Sequence, residues 1–93
     1  MEIRIYVNHR DRTVLNEKDF ERLVADNAKE YADDGDRFSE WLDENYSTVE
    51  IFRMTEAKRA NVLAKWEKVA YDDVRSDMTC EYGGEWTEYV IEV

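Results

Sequence analysis

The chain of 93 residues contains one cysteine, one histidine, three glycines and no proline. A single cysteine excludes an intramolecular disulfide, and one histidine with one cysteine excludes zinc sites built from several such ligands. The N-terminus lacks the basic start and apolar run of a signal peptide, and no apolar stretch approaches the roughly 20 residues of a membrane helix. These absences predict a cytoplasmic protein that holds no metal or cofactor and contacts no membrane.

Catalytic motifs are also missing. His9 lies in a charged segment, and no serine stands in a G-x-S-x-G turn. Gly83-Gly84 is too short to cradle a phosphate, and no lysine follows it as in a P-loop. The acidic run around Gly35 departs from a calcium loop because Trp41 stands where that pattern needs a glutamate. We therefore expect no enzymatic activity.

The composition and the spacing of apolar residues predict one small domain covering residues 1–93. With 43% hydrophobic and 13% aromatic residues, the chain is too apolar for a disordered acidic tail. Alternation in the first seven residues predicts a strand with Ile3, Ile5 and Val7 on its buried face. A polar connection follows this strand, over residues 8–15.

Capping residues predict where the helices begin. Asn16 caps a helix over 17–32 that Gly35 stops, and Asp36 caps a second helix over 37–46. Ser47 and Glu50 fit a capping box for a short helix, although 48–54 is equally compatible with a strand. Thr55 caps the longest helix, over 56–77.

The spacing of apolar residues changes again near the C-terminus, from a helical repeat to the alternation of a strand. Residues 79–82 and 85–93 flank Gly83-Gly84, which is typical of a tight hairpin turn. In the last strand Tyr89 and Ile91 share one face, and Trp86 and Val90 mark the other. The predicted fold is α+β: a small antiparallel sheet of about three strands, from the N-terminal strand and a C-terminal hairpin, with three to four helices on one face.

Charge is the strongest functional signal in the sequence. The chain has 23 acidic and 13 basic residues, a formal net charge of −10, so direct contact with nucleic acid is not expected. Residues 1–29 are balanced, whereas 30–50 carry eight acids and one base, and 81–93 carry four acids and no base. The acidity is therefore confined to two segments.

The acids of the predicted second helix are also ordered. Asp36, Glu40, Asp43 and Glu44 recur at i, i+4, i+7 and i+8, which places them on one helix face. Successive carboxylates then lie about 6 Å apart along the axis, a spacing similar to that of phosphates along a nucleic-acid strand. This row favours a basic protein groove as the partner, although acidity that serves only solubility explains the same residues.

The stretch from Phe38 to Ser47, FSEWLDENYS, continuing through Glu50-Ile51-Phe52, resembles small acidic proteins of bacteriophages and mobile elements. The residues that carry the resemblance lie within 38–52, 15 of the 93 residues. It implies a relation to anti-CRISPR or antirestriction proteins, which block a nuclease by imitating its DNA. The partner implied is the basic groove of a nucleic-acid-binding protein, such as the arginine-lined pocket in which a CRISPR nuclease reads its PAM.

The sequence thus predicts a non-enzymatic protein-binding domain, monomeric or homodimeric, that acts as a phage or mobile-element inhibitor. The candidate contacts are the acids of the first acidic segment and, second, two strand acids: Asp33, Asp34, Asp36, Glu40, Asp43, Glu44, Glu88 and Glu92. The alternative is a structural or regulatory module that pairs with itself or a host protein through apolar surface at Trp86, Val90 and the hairpin edge.

Overall fold

The computed structural model describes all 93 residues as three strands and four helices. In chain order these are β1 (Glu2–Asn8), β2 (Val14–Asn16), α1 (Glu17–Ala32), α2 (Gly35–Asn45), α3 (Thr48–Arg53), α4 (Glu56–Met78) and β3 (Trp86–Glu92). The strands form one antiparallel sheet in the order β2-β1-β3. The predicted α+β class, with a three-stranded antiparallel sheet, is confirmed.

The hairpin of this sheet lies at the N-terminus, between β1 and β2, and not at the C-terminus as predicted. Asn8, which is buried, accepts hydrogen bonds from the backbone N–H groups of Arg10 and Asp11 and so builds the turn. Arg12 takes a positive φ of 64° within it. The polar connection predicted for 8–15 is therefore the hairpin loop together with the start of β2.

The segment 79–82, predicted as a strand, is a turn that leads from α4 into β3. The backbone N–H of Gly84 donates to the carbonyl of Cys80, and a Cβ at position 84 would stand 2.5 Å from that oxygen. Such a tight turn requires glycine at this position. The glycine pair does mark a turn, but β3 finds its partner in β1, at the other end of the chain.

The buried face of β1 is the opposite of the predicted one. Tyr6 is 1% exposed and stacks on Phe20 of α1 at a centroid distance of 3.8 Å, whereas Ile3 is 41% exposed. An aromatic ring buries more area than an isoleucine, and the Tyr6 hydroxyl also finds partners on the helix side. Ile3, Ile5 and Val7 consequently point away from the helices.

Local capping chemistry fixes most helix starts. The side chains of Asn16 and Thr55 accept from backbone N–H groups three residues on, so α1 and α4 begin as predicted. Ser47 and Glu50 form the complete capping box, and 48–53 is a helix. The cap of α2 is different: Asp34 takes this role instead of Asp36, and Gly35 is the first residue of α2.

Two apolar clusters lie at opposite ends of an elongated molecule that measures 51 × 28 × 18 Å. At the sheet end, Tyr6, Phe20, Val24 and Trp86 form the core, and residues of the last turns of α4 pack against it. At the other end, the side chain of Trp66 on α4 donates to the carbonyl of Ala32, 2.9 Å away. Helices α1 and α4 link the two ends, and α2 and α3 pack around the N-terminal half of α4.

Candidate functional site

The row of carboxylates predicted on the second helix is present on α2. Asp36, Glu40, Asp43 and Glu44 are all exposed and follow the helical repeat of one face. None of the four makes an ion pair within the chain, because the only pair on this helix joins Arg37 to Asp34, at 3.4 Å. The row therefore presents uncompensated negative charge to the solvent.

Asp33 and Asp34, at the start of this segment, have different surroundings. Asp34 is the N-cap of α2 and accepts from the backbone N–H groups of Asp36 and Arg37 at 3.0 and 3.3 Å. Its carboxylate is thus occupied by the helix that it caps. Asp33 ends α1 through its backbone N–H, which donates to the carbonyl of Lys29, and its side chain is exposed next to the row.

An aromatic groove of about 170 Å³ runs beside the row, between α2, α1 and α4. Glu40 and Glu44 line one side of it and Asp73 of α4 the other. The aromatic side chains that line this groove are Tyr31, Trp41 and Trp66. Three carboxylates from two helices therefore border one aromatic surface, a combination that suits a guanidinium group.

Arg37 shows how a guanidinium lies in this groove. Its charged carbon sits 4.4 Å above the centre of the Tyr31 ring, in cation–π geometry. The Tyr31 hydroxyl donates to Asp73 at 3.1 Å, and burial together with this hydrogen bond raises the pKa of Tyr31. Tyr31 and Asp73 were not among the predicted site residues, because the sequence separates them by 42 positions and only tertiary packing joins them.

Unlike the carboxylates of the α2 row, the carboxylate of Glu88 already has basic partners within the chain. Its carboxylate pairs with Arg4 at 3.3 Å and Arg75 at 3.4 Å, and it accepts a hydrogen bond from the Tyr6 hydroxyl at 3.1 Å. Burial, reinforced by Glu88, raises the pKa of Tyr6 despite the nearby Arg75. Burial acts to lower the pKa of Arg75, but Tyr6 and Glu88 outweigh it and raise the value. Glu88 therefore has its counter-charges inside the chain.

Glu92 shares the strand face of Glu88 but lies opposite Glu2 in the β1–β3 ladder, with no basic partner. Both strand acids belong to the sheet end. Helix α2 packs on α1 and on the part of α4 from Arg59 to Asp73, whereas Glu88 and Glu92 lie on β3, where Glu88 pairs with Arg75. The eight predicted acids thus do not form one site: six lie at or next to α2, and two lie at the sheet.

The apolar surface predicted at Trp86 and Val90 is corrected by the structure. Trp86 is buried against Phe20, with ring centroids 5.4 Å apart, and it belongs to the core. The C-terminal hairpin does not form, but β3 is an edge strand of the sheet. Val90 is 52% exposed, and Tyr89 and Ile91 on the other face of β3 are 48% and 42% exposed, so only the Trp86 part of the predicted surface is wrong.

The acids are spread along helices and are not gathered into a metal-binding cluster of His, Cys, Asp or Glu side chains. None of the four helices combines the length and apolar character that crossing a bilayer requires. Comparison of the chain with protein families, characterised proteins and solved structures found no match.

Proposed function

We propose that this chain is a non-enzymatic protein-binding domain that uses α2 to imitate the phosphates of a nucleic-acid strand. The observation that supports this proposal is the row Asp36, Glu40, Asp43 and Glu44, which lies on one helix face and makes no ion pair within 4 Å. The partner is the basic groove of a protein that handles DNA or RNA. The carboxylates accept charge-assisted hydrogen bonds from its arginines and lysines.

The energetics of α2 argue against solubility as the only reason for the row. Like charges at i and i+4, as in Glu40 and Glu44, cost a helix a few tenths of a kcal/mol per pair. Asp43 and Glu44 also lie in the last turn, where the helix dipole favours cations, and α2 has no basic residue there. Solubility alone is satisfied by acids at positions that do not oppose the helix.

Some of the acids elsewhere in the chain form ion pairs. Exposed acids outside the row have basic partners within 4 Å in several places, and these acids are Asp19, Asp72, Glu85 and Glu88. On α2, the only basic side chain pairs with the capping residue Asp34 and stacks on Tyr31. Acids without an ion pair, such as Glu21, Asp26 and Glu67, also occur outside α2, so what distinguishes the row is its regular spacing on one helix face.

The aromatic groove adds a preference for arginine over lysine. A guanidinium stacks on an aromatic ring and bonds to carboxylates at the same time, as Arg37 does with Tyr31 and Asp34. An arginine of the partner that follows the row reaches Glu40 and Glu44 at the rim of this groove. Pockets that read DNA through arginines, such as the PAM pocket of a CRISPR nuclease, offer this chemistry.

A fluorescent peptide of nine arginines tests the charge of the surface directly. We expect it to bind the protein and to lose affinity steeply between about 50 and about 300 mM NaCl. The triple variant Glu40→Lys, Asp43→Lys, Glu44→Lys removes three charge-assisted contacts, so its affinity falls by about 100-fold or more. Lysines at 43 and 44 suit the C-terminal end of α2, so the circular dichroism spectrum stays unchanged.

The matched control is Glu21→Lys, Asp26→Lys, Glu67→Lys, which changes three exposed acids outside α2. It alters the net charge by the same amount and keeps the affinity of the wild type within a few fold. If both triple variants lose affinity equally, only the net charge matters and the proposed row is wrong.

The function itself is tested by inhibition of DNA cleavage by a panel of CRISPR and restriction nucleases. We expect the wild type to inhibit a nuclease of the panel by competing with its DNA, and the α2 triple variant to be inactive. An α2 triple variant that inhibits as well as the wild type contradicts the proposal, as does a wild type that inhibits none of them.

A further inference from the structure

One face of the sheet carries no helix. We call it the open sheet face, and its apolar residues, contributed by all three strands, are Ile3, Ile5, Val7, Val14, Tyr89 and Ile91. The register brings them together in rows: Ile3 opposite Ile91, Ile5 opposite Tyr89, and Val7 opposite Val14. They therefore form one continuous apolar surface.

The open sheet face is accessible to solvent in the single chain. Ile3, Ile91, Tyr89 and Val14 are 41%, 42%, 48% and 59% exposed, respectively. Helices α1 and α4 both pack against the other face, on Tyr6 and Trp86. A contiguous exposed apolar patch of this kind is typical of a protein–protein interface.

The charges of the strands are all kept off this face. The alternation of side chains that places Tyr89 and Ile91 on it puts Glu88 and Glu92 on the helix side, and Glu2 of β1 lies opposite Glu92 there. A face without charge offers nothing to a basic or acidic partner. It is, however, complementary to another copy of itself, because two apolar surfaces meet and no carboxylates are brought together.

The total surface indicates that one chain alone is incompletely packed. The accessible area is 7192 Å², whereas a monomer of 11.2 kDa typically exposes about 5,700 Å². Only nine of the 93 residues are buried. A stable interface removes about 800 Å² from each partner, which is about half of this excess of roughly 1,500 Å².

We propose that the chain forms a homodimer in which the open sheet faces of two copies pack on each other. The two sheets lie about 10 Å apart, as in a β-sandwich, around a two-fold axis that makes the interface self-complementary. This proposal does not depend on the function of α2. It places two α2 rows on one particle, so a dimer offers the basic partner two contact sites.

Packing of faces is favoured over pairing of edges. The edge of β3 is free, but pairing of two β3 strands through this edge leaves the exposed apolar residues of the open sheet face uncovered. Between packed faces, the interface does not bring the two α2 rows together, because α2 packs on α1 and α4, which cover the opposite face of the sheet.

Analytical ultracentrifugation from about 1 to about 200 µM tests this dimer. We expect the wild type to sediment as twice its mass of 11.2 kDa, and the dimer to persist when the NaCl concentration rises. The variants Ile91→Lys and Val14→Lys each place a charge in the interface and raise the dissociation constant by about 100-fold or more. The control Phe52→Lys changes a side chain on α3 that is 85% exposed and leaves the dimer intact.

The outcomes are separable from those of the α2 experiment, since binding of the arginine peptide weakens with salt and the dimer does not. Circular dichroism confirms that each variant is folded. Val14 is the more exposed of the two positions, so Val14→Lys decides the question if Ile91→Lys unfolds. A wild type that is monomeric at every concentration overturns the proposal, and so does a dimer that survives Val14→Lys or dissociates in Phe52→Lys.

Discussion

Tyr6 connects the apolar core to the one compact charged network of the protein. Its ring stacks on Phe20, while its hydroxyl donates to Glu88 and accepts from Arg75 at 2.9 Å. Arg75 in turn bonds to the same carboxylate, so a tyrosine, an arginine and a glutamate hold α4 against β3. The hydroxyl of Tyr6 can be buried because both of its hydrogen-bond partners, Glu88 and Arg75, are in place. This explains why β1 turns the Tyr6 side toward the helices.

The raised pKa of Tyr6 gives a pH dependence of known sign. Burial lifts this pKa above its ordinary value of 10.0, so the folded chain holds the proton more tightly than the unfolded chain. The corresponding stability is fully present below about pH 10 and is lost as the pH rises through the folded pKa. In Tyr6→Phe this loss is absent, and the free energy of unfolding falls less steeply above about pH 10 than in the wild type.

Urea unfolding at several pH values between about 7 and about 11.5 measures the difference. At neutral pH the variant is less stable by about 1–2 kcal/mol, because Glu88 and Arg75 each lose a partner. Tyr31, whose pKa is also raised, contributes an alkaline loss that both proteins share. Equal slopes above pH 10 contradict the assignment to Tyr6.

At the scale of elements, the β1–β3 ladder contains an unfavourable pair. Glu2 and Glu92 face each other directly, and directly opposed like charges destabilise a sheet. We expect Glu92→Lys to raise the free energy of unfolding by a few tenths to about 1 kcal/mol, since it replaces repulsion with a cross-strand ion pair.

Thermal unfolding of this variant needs a control with the same change in net charge. Glu85→Lys serves, because Glu85 pairs with Arg10 at 3.1 Å and its reversal removes an ion pair instead of making one. We expect its midpoint to be unchanged or lower, by the small amount typical of an exposed pair. A Glu92→Lys variant that is no more stable than Glu85→Lys shows that the pairing of Glu2 with Glu92 has no energetic consequence.

The whole molecule has a net charge of −10 on an elongated body, so its like charges repel one another. Salt screens this repulsion and also weakens the six ion pairs, which are mostly exposed and contribute little. We therefore expect the melting temperature to rise between about 20 and about 300 mM NaCl.

Differential scanning calorimetry at constant pH and protein concentration checks this expectation. Constant concentration matters because formation of a dimer also raises the melting temperature. The variant Val14→Lys, which is designed to be monomeric, separates the effect of salt screening on the melting temperature from the effect of dimerisation. Salt screens the repulsion in this variant as in the wild type, but dimerisation does not raise its melting temperature. A melting temperature of this variant that falls with salt means that its ion pairs outweigh the repulsion.

The sequence by itself determined those features whose causes are local. Asn16, Ser47 and Thr55 begin helices because each side chain bonds to a backbone group three residues away, whatever the rest of the fold does. The helical repeat likewise placed Asp36, Glu40, Asp43 and Glu44 on one face. The cap of α2 differs from the predicted one, Asp34 in place of Asp36, because two aspartates separated by one glycine offer the same capping oxygen.

Tertiary structure alone decided which strands pair and which faces are buried. Alternation shows that β1 has two faces, but whether Tyr6 or Ile5 is covered depends on Phe20 and Arg75, which lie far along the chain. Strand β3 pairs with β1 across the whole sequence, so no local turn signal predicts this pairing. The open sheet face and the aromatic groove beside α2 follow from these distant contacts, whose free energy depends on the packing of the entire chain.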